Sequence, residues 1–164
     1  MTTPLTNSSD LEKLQLIKSD SDDTTEALQL HQHLRASIEN DVGPAERQGL
    51  CLSLHNDSGQ MCAGLRGFSH WHWLYISHLW VMDHCRNQGL AQRLLAEATN
   101  VASSRNNVGL YVDTFSNDTA QFYKKNGYKE VGRIENFPPG QNRIFLKKYL
   151  ALDQISTKVQ RPES

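Results

Sequence analysis

Apolar and polar positions follow two different periods along this chain, and the switches between them mark out its elements. Leu14–Lys18 (LQLIK) alternates, which predicts a first strand because successive side chains of an extended chain point to opposite faces. Across Asp22–Asn40, Leu28, Leu30, Leu34 and Ile38 recur among polar residues, a helical spacing with Asp22, Asp23 and Thr24 as N-cap candidates. Gly43-Pro44 either ends that helix or bends the chain into a short second one. Leu50–His55 (LCLSLH) alternates cleanly, Asn56-Asp57-Ser58-Gly59 reads as a turn, and Met61–Phe68 follows as the partner strand of a hairpin. Leu74–Met82 (LYISHLWVM) is the strongest strand pattern of all.

The second half continues the alternation of periods. Gly89–Arg105 carries Leu90, Leu94, Leu95, Ala98, Val101 and Ala102 at helical spacing. Gly109–Phe115 reads as a strand, and Asn117–Asn126 as a short helix with Asn117 as a possible cap and Gly127 as its stop. Tyr128–Ile134 and Arg143–Tyr149 are the last two strands, joined by a loop holding Pro138-Pro139-Gly140. The order β-α-β-β-β-α-β-α-β-β predicts a mixed α/β domain over residues 13–151 built on a seven-stranded sheet. Residues 1–12 and 152–164 are polar and aperiodic and read as tails.

Composition narrows the function classes. The 164 residues suffice for one domain with a proper core, and 17 basic against 18 acidic side chains leave a net charge of −1. That balance carries no electrostatic footprint for nucleic acid or an anionic membrane. No run reaches the ~18 apolar residues of a membrane span, and the opening residues lack the basic and apolar regions of a secretion signal. Cys51, Cys62 and Cys85 are odd in number and show no CxxC spacing, so a reducing cytoplasm is the expected address.

The candidate chemistry begins where the strongest strand runs into the longest apolar-periodic helix of the second half, in VMDHCRNQGLAQRLLAEA, Val81 to Ala98. The first turn of a helix has unpaired N–H groups and the positive end of the helix dipole, so it attracts phosphate. Small residues at Gly89 and Ala91 let a pyrophosphate approach the backbone, and Arg86 adds a charged hydrogen-bonding fork. Alone, a strand, a glycine turn and a helix are most often only a turn. A dinucleotide fingerprint needs GxGxxG, and a P-loop needs GxxxxGK followed by Ser or Thr; both are absent.

A second motif, NDTAQFYKKNG followed by Tyr128, changes that balance. Together with RNQGLA, it resembles the fingerprint of the GCN5-related N-acetyltransferase (GNAT) family. Arg86, Gly89 and Ala91 match the first part, after a strand ending Leu79-Trp80-Val81, and Asn117, Ala120, Phe122, Tyr123, Gly127 and Tyr128 match the second. The order of elements agrees across roughly residues 14–150. The longer run from Tyr111 to Leu150 is similar to a bacterial subgroup whose acceptor is not established.

The resemblance implies a mostly antiparallel, twisted seven-stranded sheet flanked by helices and splayed between its fourth and fifth strands, here Leu74–Met82 and Gly109–Phe115. It implies acetyl-CoA as acetyl donor, with no metal. The pyrophosphate would sit on the N–H groups of Arg86, Asn87, Gln88, Gly89, Leu90 and Ala91. The pantetheine arm would pair with the backbone of Leu79 and Val81, and Asn117 would touch it or cap the short helix. Tyr123 would stand near the thioester sulfur as general acid, and the Leu79 N–H would steady the oxyanion. The base that takes the acceptor's proton stays open among Tyr75, Ser77, His78, Asp113, Glu135 and a chain of waters. In a regular strand His78 points away from the face of Tyr75 and Ser77, and a bulge would reverse this.

His70, His72, His78 and His84 crowd one region with Trp71 and Trp73. His70 and His72 would share a strand face, a spacing compatible with metal ligation, but no acidic or cysteine partner stands at a firm spacing. The aromatics suit either the wall of an acceptor pocket or packing and homodimer contact. The expected activity is transfer of an acetyl group to the primary amine of a small molecule. A protein lysine or N-terminal acetyltransferase, and a coenzyme-binding regulator with little turnover, are the alternatives.

Overall fold

The computed structural model of the protein describes residues 14–150, and the tails expected at 1–12 and 152–164 lie outside the described residues. The chain divides after Pro44 into two compact units. In the first, helix α1 spans Thr25–Val42. Thr24 is its N-cap, its Oγ1 accepting the Ala27 N–H at 3.1 Å. It ends where Gly43 turns to a positive φ of 83° and donates its N–H to Glu39 O. No second helix follows. Leu14–Lys18 forms no strand either. Its alternation met the local requirement, but a strand also needs a neighbour to accept its ladder, and Leu16 is 97% exposed. Among the described residues the sheet accordingly has six strands, not the seven expected.

The second unit holds that sheet: β1 (Gln48–His55), β2 (Met61–His70), β3 (Trp73–Val81), β4 (Gly109–Thr114), β5 (Lys129–Glu135) and β6 (Asn142–Tyr149). Their spatial order is β1-β2-β3-β4-β6-β5. Every neighbouring pair is antiparallel except β3 and β4. A parallel pair needs a crossover, and helix α2 (Leu90–Ser104) makes it. Helix α3 (Asn117–Lys125) then joins β4 to β5.

Directly opposed residues share a face of the sheet, so the register divides the strands into two sets of side chains. Leu65, Leu74, Ile76, Leu110, Val112, Ile144 and Leu146 form one core with Leu94, Leu95, Ala98 and Ala102 of α2 and Ala120 and Tyr123 of α3. Burial of each such leucine contributes about 1.5–3 kcal/mol relative to exposure. The alternate positions put Phe68, His70, Trp73, Tyr75, Tyr111 and Asp113 together on the other face. Arg105, at the C-terminal end of α2, donates to the carbonyls of Gln48 and Gly49 at 3.1 and 2.9 Å and so ties that helix end to the start of β1. Among the described residues no helix is long and apolar enough to cross a membrane.

One irregularity in this sheet matters for the site. Arg66 is opposite His78, but the next residue, Gly67, is opposite Ile76, so Ser77 is the extra residue of a β-bulge. Gly67 permits it, since a Cβ there would collide with the carbonyl oxygen of Tyr75. The bulge turns His78 and Trp80 onto the face of Tyr75 and returns Leu79 and Val81 to the core side, where both pack.

Candidate active site

The parallel pairing of β3 with β4 runs from Trp73/Gly109 to Ile76/Val112 and then stops. β4 stays paired with β6 as far as Thr114, and β3 stays paired with β2 as far as Val81. The sheet therefore forks after Ile76 and Val112, between the two strands expected to splay. Met82 donates its N–H to Cys62 O at 2.9 Å, so Met82 faces β2. By the two-residue period of a strand, the N–H and C=O groups of Leu79 and Val81 face the open side of the fork.

Beyond Val81 the chain makes a short 3₁₀ turn, Asp83–Cys85, and then the hinge Arg86-Asn87-Gln88-Gly89 before α2. Asn87 and Gly89 both have left-handed backbones, at φ 61° and 77°. Such conformations turn consecutive N–H groups toward a common concavity that suits an anion. Gly89 is the N-cap of α2 and brings no side-chain hydrogen bond, which leaves the first-turn donors of a 15-residue helix for a ligand. The Arg86 guanidinium is folded back, 2.7 Å from Asp83 Oδ1, and its Nε donates to Val81 O at 3.4 Å. Both partners of that ion pair are largely exposed, so the contact is a weak one. Leu90 and Ala91 form the first turn of α2, the first packed against the core.

Tyr123 lies on α3 and is buried, with edge-on rings of Phe122 and Tyr128 at 5.5 and 5.3 Å. Burial raises its phenol pKa well above the ordinary value of 10, and the Asp113 carboxylate adds to the effect. The group is thus held in its proton-carrying form. Asn117 is not the cap of α3. Ser116 is, its Oγ accepting the Thr119 N–H at 3.3 Å. Asn117, one residue on, is left exposed in the first turn, because the helix begins one residue earlier than its asparagine suggested.

The open-base candidates separate in space. Tyr75 Oη donates to Asp113 Oδ1 at 2.8 Å, and Arg143 Nε donates to Asp113 Oδ2 at 2.7 Å. Tyr75 stands on β3 and Asp113 on β4, so this contact spans the fork at its root. Burial first, and then the hydrogen bond and charge of Asp113, push the Tyr75 pKa up to about 12. Asp113 thus has both oxygens engaged by donors from neighbouring strands. Ser77 Oγ donates to Arg66 O and meets His78 Nδ1 at 2.9 Å. His78 is exposed, and Glu135 closes β5 in an exposed position.

An aromatic surface continues from this network. Tyr111 stacks on Tyr75 with ring centroids 4.7 Å apart, and His70 Nε2 meets Tyr111 Oη at 2.7 Å. Burial and the nearby Arg47 lower the pKa of His70. The Arg143 guanidinium sits 5.4–5.6 Å from the rings of Phe115, Phe137 and Phe145. The pairing of His70 and His72 on one strand face does not occur. His70 pairs with Trp73, and Trp71 and His72 are the two left-handed residues of the tight turn between them, at φ 40° and 59°. Among the described residues no three His, Cys, Asp or Glu side chains gather to hold a metal. Arg143 and Tyr111 were missed in the sequence. The available signal was a period-2 run of aromatic and charged residues, opposite the apolar positions of β4 and β6.

A fork between two parallel strands, leading through a phosphate-suited hinge into a helix, occurs here with a buried tyrosine on the next helix. The chain belongs to the GNAT acetyltransferases: the family profile described as acetyltransferase (GNAT) domain matches residues 47–130. It is therefore an N-acetyltransferase. It is 32% identical over 106 residues to an acetyltransferase of Agrobacterium fabrum, a match covering 65% of this chain and 77% of the relative. It is 34% identical over 95 residues to the blasticidin-S acetyltransferase of Streptomyces morookaense, covering 57% of this chain and 70% of that one. The crystal structure of an acetyltransferase from Bacillus cereus superposes with a TM-score of 0.71 at 26% identity, over 81% of this chain and 98% of that one.

Proposed function

We propose that the protein transfers an acetyl group from acetyl-CoA directly to the primary amine of a small molecule. The fork at Ile76 and Val112, opening toward the hinge at Gly89, carries this reading. The pyrophosphate rests on the N–H groups from Arg86 to Ala91, and Arg86 exchanges Asp83 for a phosphate oxygen. The pantetheine arm lies in the fork against the backbone of Leu79 and Val81, with Asn117 beside it on the α3 side.

The acceptor enters from the aromatic face, where Tyr75, Tyr111, Phe115 and Phe137 offer flat apolar walls and Asp113 offers a carboxylate to a cationic amine. Once the acceptor has lost a proton to solvent through ordered water, its nitrogen lone pair attacks the thioester carbonyl carbon. The carbonyl oxygen takes up the negative charge and receives a hydrogen bond from the Leu79 N–H. Collapse of this intermediate breaks the carbon–sulfur bond, the departing thiolate takes the Tyr123 phenolic proton, and the surplus proton on the new amide nitrogen passes through water to restore the phenol. The amide and coenzyme A are the products.

The small-amine preference has two supports. The charge-balanced chain offers no large acidic field to steer a basic protein tail, and one similar protein is a blasticidin-S acetyltransferase. The three free cysteines fit a reducing, cytoplasmic setting. The test is coenzyme A release measured over a broad panel of small amines and basic peptides, beside calorimetric titration with acetyl-CoA. Turnover of a small amine above every peptide supports the reading. Faster peptide turnover would move the acceptor to the protein class. Tight coenzyme binding without turnover would make the chain a coenzyme-dependent regulator.

A further inference from the structure

Two of the three cysteines meet beside the coenzyme hinge. Cys62 lies near the start of β2, where its carbonyl accepts the Met82 N–H at 2.9 Å. The 3₁₀ turn follows Met82 directly, and Cys85 N–H donates back to Met82 O at 2.9 Å. The turn closes on Met82, and Met82 pairs with Cys62, so Cys85 returns beside the strand end that holds Cys62. Burial, and after it a hydrogen-bonding contact with the Cys62 thiol, raise the Cys85 pKa, while Cys62 Sγ also reaches Gln60 O at 3.6 Å. Both are free, partly accessible thiols, whereas Cys51 is exposed and apart from them on β1. The residue after Cys85 is Arg86, the first of the hinge.

We propose that Cys62 and Cys85 form an oxidisable pair whose disulfide ties the 3₁₀ turn to β2 and weakens coenzyme binding at the adjacent hinge. The oxidant is a low-molecular-weight disulfide. One protein thiol, as its thiolate, attacks a sulfur of that disulfide and expels a small thiolate, leaving a mixed disulfide. The second protein thiol, after losing its proton, attacks the protein sulfur of the mixed disulfide and expels the other small thiolate. Two protein thiols are oxidised, the small disulfide is reduced to two thiols, and no other reagent is needed.

A covalent S–S bond is shorter than any thiol–thiol hydrogen bond, so closure draws the turn toward β2. Asp83, which holds Arg86, is in that turn, and Asn87 to Gly89 follow directly. Phosphate recognition by backbone N–H groups depends on their mutual alignment, so a displacement of this kind reads out as lost affinity. At neutral pH the raised Cys85 pKa leaves little thiolate, which makes the pair a slow responder to sustained disulfide stress.

The inference rests on the proposed coenzyme site, and its experiment keeps the two apart. Full-length protein is incubated with glutathione disulfide, alkylated and mapped by mass spectrometry, and the same samples are titrated with coenzyme A by calorimetry. A linked Cys62–Cys85 peptide is expected, with affinity about tenfold weaker and restored by dithiothreitol. Cys62→Ser should keep its affinity under the oxidant, and Cys51→Ser should respond as wild type does. Absence of the linked peptide, or a linked protein with unchanged affinity, would overturn the inference. Failure of the reduced protein to bind coenzyme A would instead overturn the proposed function, with the cross-link still read from the mass map.

Discussion

Tyr75 on β3 and Asp113 on β4 are joined by a 2.8 Å hydrogen bond across the point where their strands stop pairing. The bond closes the root of the fork on the aromatic face, and Arg143 holds the other Asp113 oxygen from β6. Three strands thus converge on one carboxylate beside the proposed acceptor entrance.

Asp113→Asn keeps the shape and removes the charge. Charged hydrogen bonds contribute about 1.5–3 kcal/mol, so the acceptor KM should rise by about 10- to 100-fold while coenzyme affinity stays level. The Tyr75 pKa should fall from about 12 toward the ordinary phenol value, since the carboxylate is one cause of its elevation. Steady-state kinetics and a spectrophotometric tyrosine titration check both halves. An unchanged acceptor KM would remove Asp113 from acceptor recognition.

Gly67→Ala tests the bulge. Its Cβ has no room against the Tyr75 carbonyl, and backbone cannot swing aside as a side chain can. The variant should lose about 1–3 kcal/mol, the usual penalty of overpacking, seen as a lower midpoint in urea. Gly64→Ala, whose Cβ would meet ordinary contacts at 3.5 Å, is the control on the same strand. Equal midpoints for the two variants would show that the bulge tolerates a side chain.

Gly89→Val probes the hinge. A Cβ at Gly89 would meet nothing within 4 Å in the protein, but its φ of 77° is one that a β-branched residue resists. The substitution therefore disturbs the hinge backbone and crowds the proposed phosphate position, without touching the core. Acetyl-CoA affinity should fall more than tenfold, about 1.4 kcal/mol, and calorimetry decides it. Full affinity in this variant would sink the assignment of the hinge to phosphate.

Tyr123→Phe keeps the buried ring and removes its proton. Coenzyme A is a fair leaving group unaided, so kcat should drop by about 10²-fold, within the range of general-acid catalysis, and not to zero. Coenzyme affinity should stay within about threefold, the worth of one neutral hydrogen bond. Burial and Asp113 both raise the Tyr123 pKa, so its protonated form persists through pH 10 and the wild-type rate should not decline on its account below that. Wild-type turnover in the Phe variant, with acyl transfer limiting, would leave Tyr123 a packing residue.

The hydrophobic periods along the chain determined by themselves α1, α2, α3 and all six observed strands, each within about three residues, because amphipathic spacing is a local property of a segment. The hinge at Arg86–Ala91 was legible for the same reason: its glycine, its arginine and the following helix are consecutive. Tertiary structure decided the rest. LQLIK alternates as β1 does, yet only β1 has a neighbouring strand to pair with, and no five-residue pattern specifies a partner. His70 and His72 look like one strand face in the sequence, but the register that pairs His70 with Trp73 puts His72 in the turn. The face of His78 depends on one extra residue at Ser77, which Gly67 on another strand makes room for. Tyr75, Asp113 and Arg143 come from three strands, and their meeting depends on two pairing registers that no local spacing encodes.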